Sequence, residues 1–286
     1  MAGDDSAGSP GHPEGPAGGS EGLTANSKGS VANSQVHRYP ARIKSFSRRG
    51  GRMVRQYQDV LNEHGPFYVL DLPEGDSPTT IAPNARVDLR AAFGNDAPIA
   101  VEIGPGSGEQ LVSYSKEHPD RNILAFEAWH VGVARCVANA VRKGVTNVRI
   151  VEADAAQALP VIFADPEAPR ASELWTFFPD PWRKSRHRKR RLIAGPFIAD
   201  AAKILEIGGL WRLATDWDDY AWQMRDELEA SDSFANLHAG ERPDPNDREP
   251  TRGGFAPRWN ERIMTRFERR GIEAGRTIHD LTFRRG

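Results

Sequence analysis

Between residues 99 and 230, five short apolar runs alternate with five stretches of helical spacing, and each run stops at a glycine or within a few residues of an acid. Parallel strands need helical crossovers, so this alternation predicts an α/β fold with a doubly wound, mostly parallel sheet. The predicted strands are Ile99–Ile103, Ile123–Phe126, Val148–Val151, Leu174–Phe178 and Leu210–Ala214. The predicted helices are Glu109–His118, His130–Lys143, a short one through Leu159, Leu192–Leu205 stopped at Gly208-Gly209, and Trp217–Ala230 capped by Thr215 or Asp216. Two last strands, around Met264–Phe267 and Thr277–Phe283, complete a seven-stranded sheet. In such sheets ligands bind outside the carboxyl ends of the strands.

Residues 1–35 are dominated by Gly, Ala, Ser and Pro, have no aromatic residue, and offer only Leu23 and Val31 as larger aliphatics. A segment of this kind cannot bury enough surface to offset its chain entropy. Three parts are therefore expected: a disordered tail over 1–36, a basic segment over 37–95, and the organised domain over 96–286. Gly65-Pro66 and Asp71 through Pro78 read as an irregular connection, and 237–262 as a long mobile loop. There is no secretory leader pattern and no apolar stretch long enough to span a bilayer, so a cytoplasmic protein is expected. A single cysteine, Cys136, and eight scattered histidines give no metal-ligand spacing, so no metal site is expected.

The net charge of −1 conceals three basic stretches. The first contains Arg38, Arg42, Lys44, Arg48, Arg49, Arg52 and Arg55. In the second, seven of the nine residues from Arg183 to Arg191 are Lys or Arg. The third runs from Arg258 to Arg285. Together they point to a polyanionic partner.

The first strand ends in Gly104-Pro105-Gly106-Ser107-Gly108. Glycines there let the backbone approach a ligand and feed a helix whose N-terminal N–H groups are unsatisfied. Glu102, Glu127 and Asp154 stand at three successive strand ends. Glu127, 23 residues beyond Gly104, is placed to accept both ribose hydroxyls. Asp154 is placed for an adenine amino group, with the Ala155 N–H beside it. Acids between strand and helix also serve as caps, but three of them with the glycines favour a nucleoside cofactor. The absence of a Tyr-x-x-x-Lys pair argues against nicotinamide chemistry and for S-adenosylmethionine. The fourth strand runs into Pro179-Asp180-Pro181-Trp182, where the two prolines are expected to hold one carboxylate and one indole at a rigid strand end.

Here the chain resembles the bacterial tRNA (guanine-N7)-methyltransferases, from about Ile43 to the C-terminus. The resemblance rests on Phe46-Ser47-Arg48-Arg49-Gly50-Gly51-Arg52, Glu102-Ile103-Gly104, and Phe177-Phe178-Pro179-Asp180-Pro181-Trp182 with Lys184 and His187-Arg188-Lys189-Arg190-Arg191. Ala214-Thr215-Asp216-Trp217 and Thr265-Arg266-Phe267-Glu268-Arg269-Arg270-Gly271 complete it. It implies a Rossmann-like class I methyltransferase fold, S-adenosylmethionine as cofactor and tRNA as partner. It further implies a cofactor site of Glu102, Gly104, Gly106, Gly108, Glu127, Asp154 and Ala155, with Asp180 as the active-site acid. Substrate contacts would come from Lys184, Arg186, His187, Arg188, Lys189, Arg190, Arg191, Asp216, Thr265, Arg266, Phe267 and Glu268. Trp182 is expected to stack on an extruded base. A monomer and a homodimer both fit. The competing readings are an amino-nitrogen methyltransferase acting on adenine or protein, against which Pro-Asp-Pro-Trp argues, and an RNA-binding protein without catalysis.

Overall fold

The computed structural model describes Lys44, Phe46 and residues 52–286. The expected tail and Arg38, Arg42, Arg48 and Arg49 lie outside the described residues.

In chain order the elements are α1 (Arg55–Tyr68), α2 (Leu89–Phe93), β1 (Ile99–Ile103), α3 (Glu109–Glu117), β2 (Asn122–Phe126), α4 (His130–Lys143), β3 (Val148–Val151), α5 (Ala155–Ile162) and β4 (Ala171–Phe177). A six-residue 3-10 helix (Ser185–Arg190) follows. Then come α6 (Gly195–Ile204), β5 (Leu205–Thr215), α7 (Asp218–Glu229), β6 (Phe234–Asn236), α8 (Arg266–Glu273) and β7 (His279–Arg285). The seven strands form one sheet in the order β3-β2-β1-β4-β5-β7-β6. The first five are parallel, while β7 runs antiparallel to both β5 and β6.

Side chains alternate across the sheet, and both faces are covered. Ile99, Val101 and Ile103 of β1, with Leu124 and Phe126 of β2, enter the cluster under α2, α5, α6 and α7. Ala100, Ile123, Ala125, Val148, Ile150 and Trp175 enter the cluster under α1, α3 and α4. Two-sided burial is why these strands read as continuous apolar runs. Strand order reverses between β1 and β4, so the ends of these two strands open the crevice that such folds use for ligands.

Several expectations are corrected. The connection around Gly65-Pro66 is the last turn of α1, held because buried Tyr68 donates its hydroxyl to the Val145 carbonyl at 2.7 Å. The segment Met264–Phe267 is not a strand. Thr265 caps α8 by accepting from the Glu268 N–H at 3.3 Å, and Thr-x-x-Glu is a helix-start signature that outweighed the strand-like composition. Gly208-Gly209 do not stop a helix, since α6 ends at Ile204 and β5 runs through them. Neither Thr215 nor Asp216 caps α7; its N-cap is Trp217, with no side-chain cap bond.

The 237–262 segment is tied down. Buried Arg225 of α7 pairs with Asp247 and donates to the Gly253 carbonyl at 2.8 Å. Arg252 pairs with Asp226 at 2.9 Å and Glu229 at 2.5 Å. A chain rich in Pro, Gly and charge reads as a loop, but tertiary ion pairs order it.

Candidate active site

The glycine turn follows β1 directly. Gly104, Gly106 and Gly108 have φ of 70°, 63° and 74°, a region that costs side-chain-bearing residues energy. Both carboxylate oxygens of Glu127 hold backbone here: one accepts from Gly106 N–H at 2.8 Å, the other from Trp129 N–H at 2.9 Å. Helix α4 lies so close that a Cβ on Gly132 would sit 2.8 Å from the Gly106 carbonyl oxygen. Asn139 donates to the Ser107 carbonyl at 2.6 Å. The turn is thus a preformed cradle.

Two adjoining cavities meet at this cradle. One, of about 360 Å³, is lined by Glu102, the turn, Arg135, Phe178 and the start of α8 from Thr265 to Phe267. The other, of about 110 Å³, is lined by Phe46, Glu127, Asp154, Ala155, Asp180 and Leu192, among others. Gly104, Gly106, Trp129, Phe177 and Phe178 border both. The structure therefore brings Glu102, Glu127, Asp154, Ala155 and Asp180 to one cleft. Asp154 also caps α5, accepting from Ala156 N–H at 3.2 Å. Capping and lining the cleft coexist in this residue.

Glu102 is buried, and its Oε2 has no hydrogen-bond partner among the described residues. Burial, reinforced by the nearby Glu127 charge, pushes its carboxyl from the usual 4.5 up to about 8. A raised carboxylate pKa means that the folded protein holds a proton the unfolded chain has released. Stability should therefore fall as pH rises from about 5 to about 8, and Glu102→Gln should remove that fall. Urea unfolding at several pH values checks this; parallel profiles for the two proteins would refute it. The unpartnered oxygen also tests the fit of S-adenosylmethionine, since a buried acid facing a cleft suits a cationic group.

The Pro179-Asp180-Pro181-Trp182 loop departs from expectation. Phe178, directly before Pro179, has φ 52° instead of an extended conformation, and Trp182 has φ 44°. Phe178 is held there by donating its N–H to the Ala214 carbonyl at 2.7 Å, with Arg262 5.6 Å from its ring. Strain of about 1–3 kcal/mol per such residue persists only where the surroundings over-determine it. Trp182 carries the Arg190 guanidinium 3.9 Å from its ring centroid and meets His187 edge-on, so it braces the 3-10 helix. Phe177, Phe178 and Trp129 border both cavities instead, with Phe267 in the larger and Phe46 and Phe126 in the smaller.

The expected substrate residues divide into three groups. Lys184, just before the 3-10 helix, and Arg186, Arg188 and Lys189 on it are exposed, although Arg188 also pairs with Asp219 at 2.5 Å. The His187 imidazole is pushed below its ordinary pKa by desolvation and by the cations Arg186 and Arg190. Arg266 and Phe267 line the larger cavity with Thr265. Four others serve the frame. Arg191, its side chain only 1% exposed, donates to the Pro181 carbonyl at 2.9 Å, to Gln223 at 2.7 Å and to Asp219 at 2.5 Å. Arg190 donates to the Lys44 carbonyl at 3.1 Å. Asp216 accepts from Arg276 at 2.7 Å. Glu268, also 1% exposed, accepts from Arg258 at 2.7 and 3.0 Å and from Arg262 at 3.0 Å. Burial opposes its ionisation, but Arg258 and Arg262 hold it below the usual carboxylate range. A long basic run reads as surface, whereas some of its members face inward.

Reading the sequence missed Trp129, Arg135, Gln110 and Arg262. Gln110, on α3, clamps the chain before α8: its amide donates to the Glu261 carbonyl at 3.1 Å and accepts from Ile263 N–H at 2.8 Å. Nothing local marks a glutamine for contact 151 residues away. Trp129 stands two residues after the strand-end acid Glu127, and that position is the signal that could have found it.

Glycine cradle, strand-end acids and strained acidic loop around one cleft define a class I methyltransferase architecture, and a family model described as "Putative methyltransferase" matches residues 96–281. The chain is 42% identical over 254 residues to the tRNA (guanine-N(7)-)-methyltransferase of Cutibacterium acnes, covering 87% of each protein. It is 39% identical over 282 residues to that of Paenarthrobacter aurescens, covering 86% of this chain and 93% of the relative. With the enzyme of that name from Aeromonas hydrophila the identity is 36%, over 87% of this chain and 94% of the relative. The chain belongs to the tRNA (guanine-N(7)-)-methyltransferase family.

Proposed function

We propose that this protein transfers the methyl group of S-adenosylmethionine to N7 of the variable-loop guanosine, position 46, of tRNA in the cytoplasm. The observation that carries the reading is the single cleft where the glycine cradle meets Asp180, beside an exposed basic 3-10 helix. Glu127, Asp154 and the Ala155 N–H would hold the adenosine, and Glu102 the methionyl ammonium. When bound, the cofactor supplies a sulfonium-activated methyl group.

Guanine N7 has a lone pair and no proton, so the transfer needs no general base. What the chain must supply is alignment and charge. Asp180 accepts from the guanine N1–H and N2–H edge and offsets the positive charge that grows on the base. Phe178 and Trp129 give the extruded base an apolar wall. Lys184, Arg186 and Lys189, with Arg266, Arg269 and Arg270 on α8, meet phosphates. The relatives that this chain resembles over most of its length are named for guanine N7, which favours the guanine reading over the amino-nitrogen one.

Incubation with labelled S-adenosylmethionine and unmodified tRNA transcripts, followed by nuclease digestion and mass spectrometry, tests this. Label at adenine N6, in protein, or nowhere would overturn it. Neutralising Lys184 together with Lys189 should weaken tRNA binding across tRNA species. It should also reduce the slope of log affinity against log salt by roughly 1–2, as measured by titration at several salt concentrations. An unchanged slope would move the phosphate contacts elsewhere.

A further inference from the structure

Arg135, on the second turn of α4, lines the same cavity as Glu102 and the glycine turn. Its guanidinium lies 5.6 Å from the Tyr57 ring centroid and 5.3 Å from that of Trp129. Its Nε is buried with no acceptor, and among the described residues no carboxylate pairs with it. Among the described residues the fully buried arginines all have acceptors: Arg191 has Asp219, Arg225 has Asp247, Arg262 has Glu268 and Asp280, and Arg149, which also lies over two rings, has three backbone carbonyls. An arginine fixed by aromatic rings, with a buried donor unsatisfied, is built to receive an oxyanion in the plane of its fork.

The position of Arg135 selects which oxyanion. Helix α4 starts just after Glu127 and packs on the glycine turn through Gly132 and Asn139. It belongs to the wall that carries the glycine turn; Arg266 and Arg270 of α8 line the same cavity but are exposed, whereas Arg135 is half-buried between two rings. Glu102, in the same cavity, offers a buried carboxyl oxygen with no partner among the described residues. An acid and an arginine on one cavity wall complement a group bearing both an ammonium and a carboxylate.

We propose that Arg135 binds the α-carboxylate of the methionyl group of S-adenosylmethionine, while Glu102 takes the ammonium. This rests on the cofactor reading above. The residue lies outside the glycine turn, the strand-end acids and the Pro-Asp-Pro-Trp loop.

Decarboxylated S-adenosylmethionine keeps the adenosine, sulfonium and ammonium but lacks the carboxylate, so it isolates the contact. By calorimetry without RNA, Arg135→Met should weaken S-adenosylmethionine binding about ten- to hundredfold, the range for a hydrogen-bonded charge pair. Its affinity for the decarboxylated form should stay at the wild-type level, which also reports that the cleft is intact. Arg135→Lys should recover part of the loss. Equal losses for both ligands, or no loss for either, would overturn the assignment. So would an unaltered preference between the two ligands accompanied by weaker binding of unmodified tRNA, which would make the oxyanion an RNA phosphate. If the wild-type protein binds neither ligand, the cofactor reading itself falls.

Discussion

Asp180→Ala is expected to lower the rate of methyl transfer to unmodified tRNA by about 10²–10³-fold, the loss typical of removing one preorganised group that stabilises developing charge. The reasoning starts from the loop. Asp180 sits between two residues in the left-handed region, Phe178 and Trp182, and lines the cleft with Ala155 and Leu192. Arg191 grips the Pro181 carbonyl from below, and Arg190 covers the Trp182 ring. A loop backbone held on both sides of Asp180 fixes where its carboxylate is presented before the base arrives, so alignment is not restored by rearrangement when the carboxylate is removed. Because N7 needs no deprotonation, the rate defect should persist at every pH at which the protein is folded. Asp180→Asn should fall between the two, since it keeps an acceptor but not the charge. Single-turnover transfer to a tRNA transcript, with cofactor affinity measured separately, checks this. A variant with wild-type turnover and unaltered cofactor binding would remove Asp180 from the mechanism.

The largest effect on stability is expected from Arg262→Met, at about 3–5 kcal/mol, because it leaves buried carboxylates without their counter-charge. The Arg262 side chain is fully buried. It bonds Glu268 at 3.0 Å, pairs with Asp280, and lies 5.5 and 5.6 Å from the Phe177 and Phe178 ring centroids. It joins α8, β7 and the strained start of the acidic loop. After its removal Glu268 keeps only Arg258, and Asp280 loses its guanidinium partner. Adding Asp280→Leu should recover part of the loss, since an apolar replacement of a buried pair is commonly neutral or better. Urea unfolding of the single and double variants measures both. A cost for Arg262→Met within the range of surface substitutions, about 0.5 kcal/mol, would show that the cluster does not hold the segment in place.

Much of the site was legible because its chemistry is local. Gly104 to Gly108 need glycine for a turn, Glu127 and Asp154 stand where strands end, and Asp180 lies between two prolines. Each of these signals sits within a few residues of the group that it identifies. What escaped was set by distance along the chain. Gln110 meets Glu261 and Ile263, Arg135 meets Tyr57, and Arg262 meets Phe178 and Asp280. The same holds for Arg191 and Glu268, which read as members of a basic run and a substrate motif. Their inward orientation became visible only once Asp219, Arg258 and Arg262 were placed around them.

The alternation of apolar runs with helical spacing was enough to determine a doubly wound α/β sheet and the order of strand ends that carry the acids, because period and punctuation are properties of neighbouring residues. Tertiary structure alone decided which charges remain at the surface and which are spent on the frame, and it alone put Phe178 into a left-handed conformation before a proline. The reason is that ionic pairing and backbone strain depend on groups brought together by packing, not by sequence. The basic strip after Trp182 shows both halves. Its charge is written in the chain, yet only the fold turns Lys184 to Lys189 outward and buries Arg191 beneath the loop that it supports.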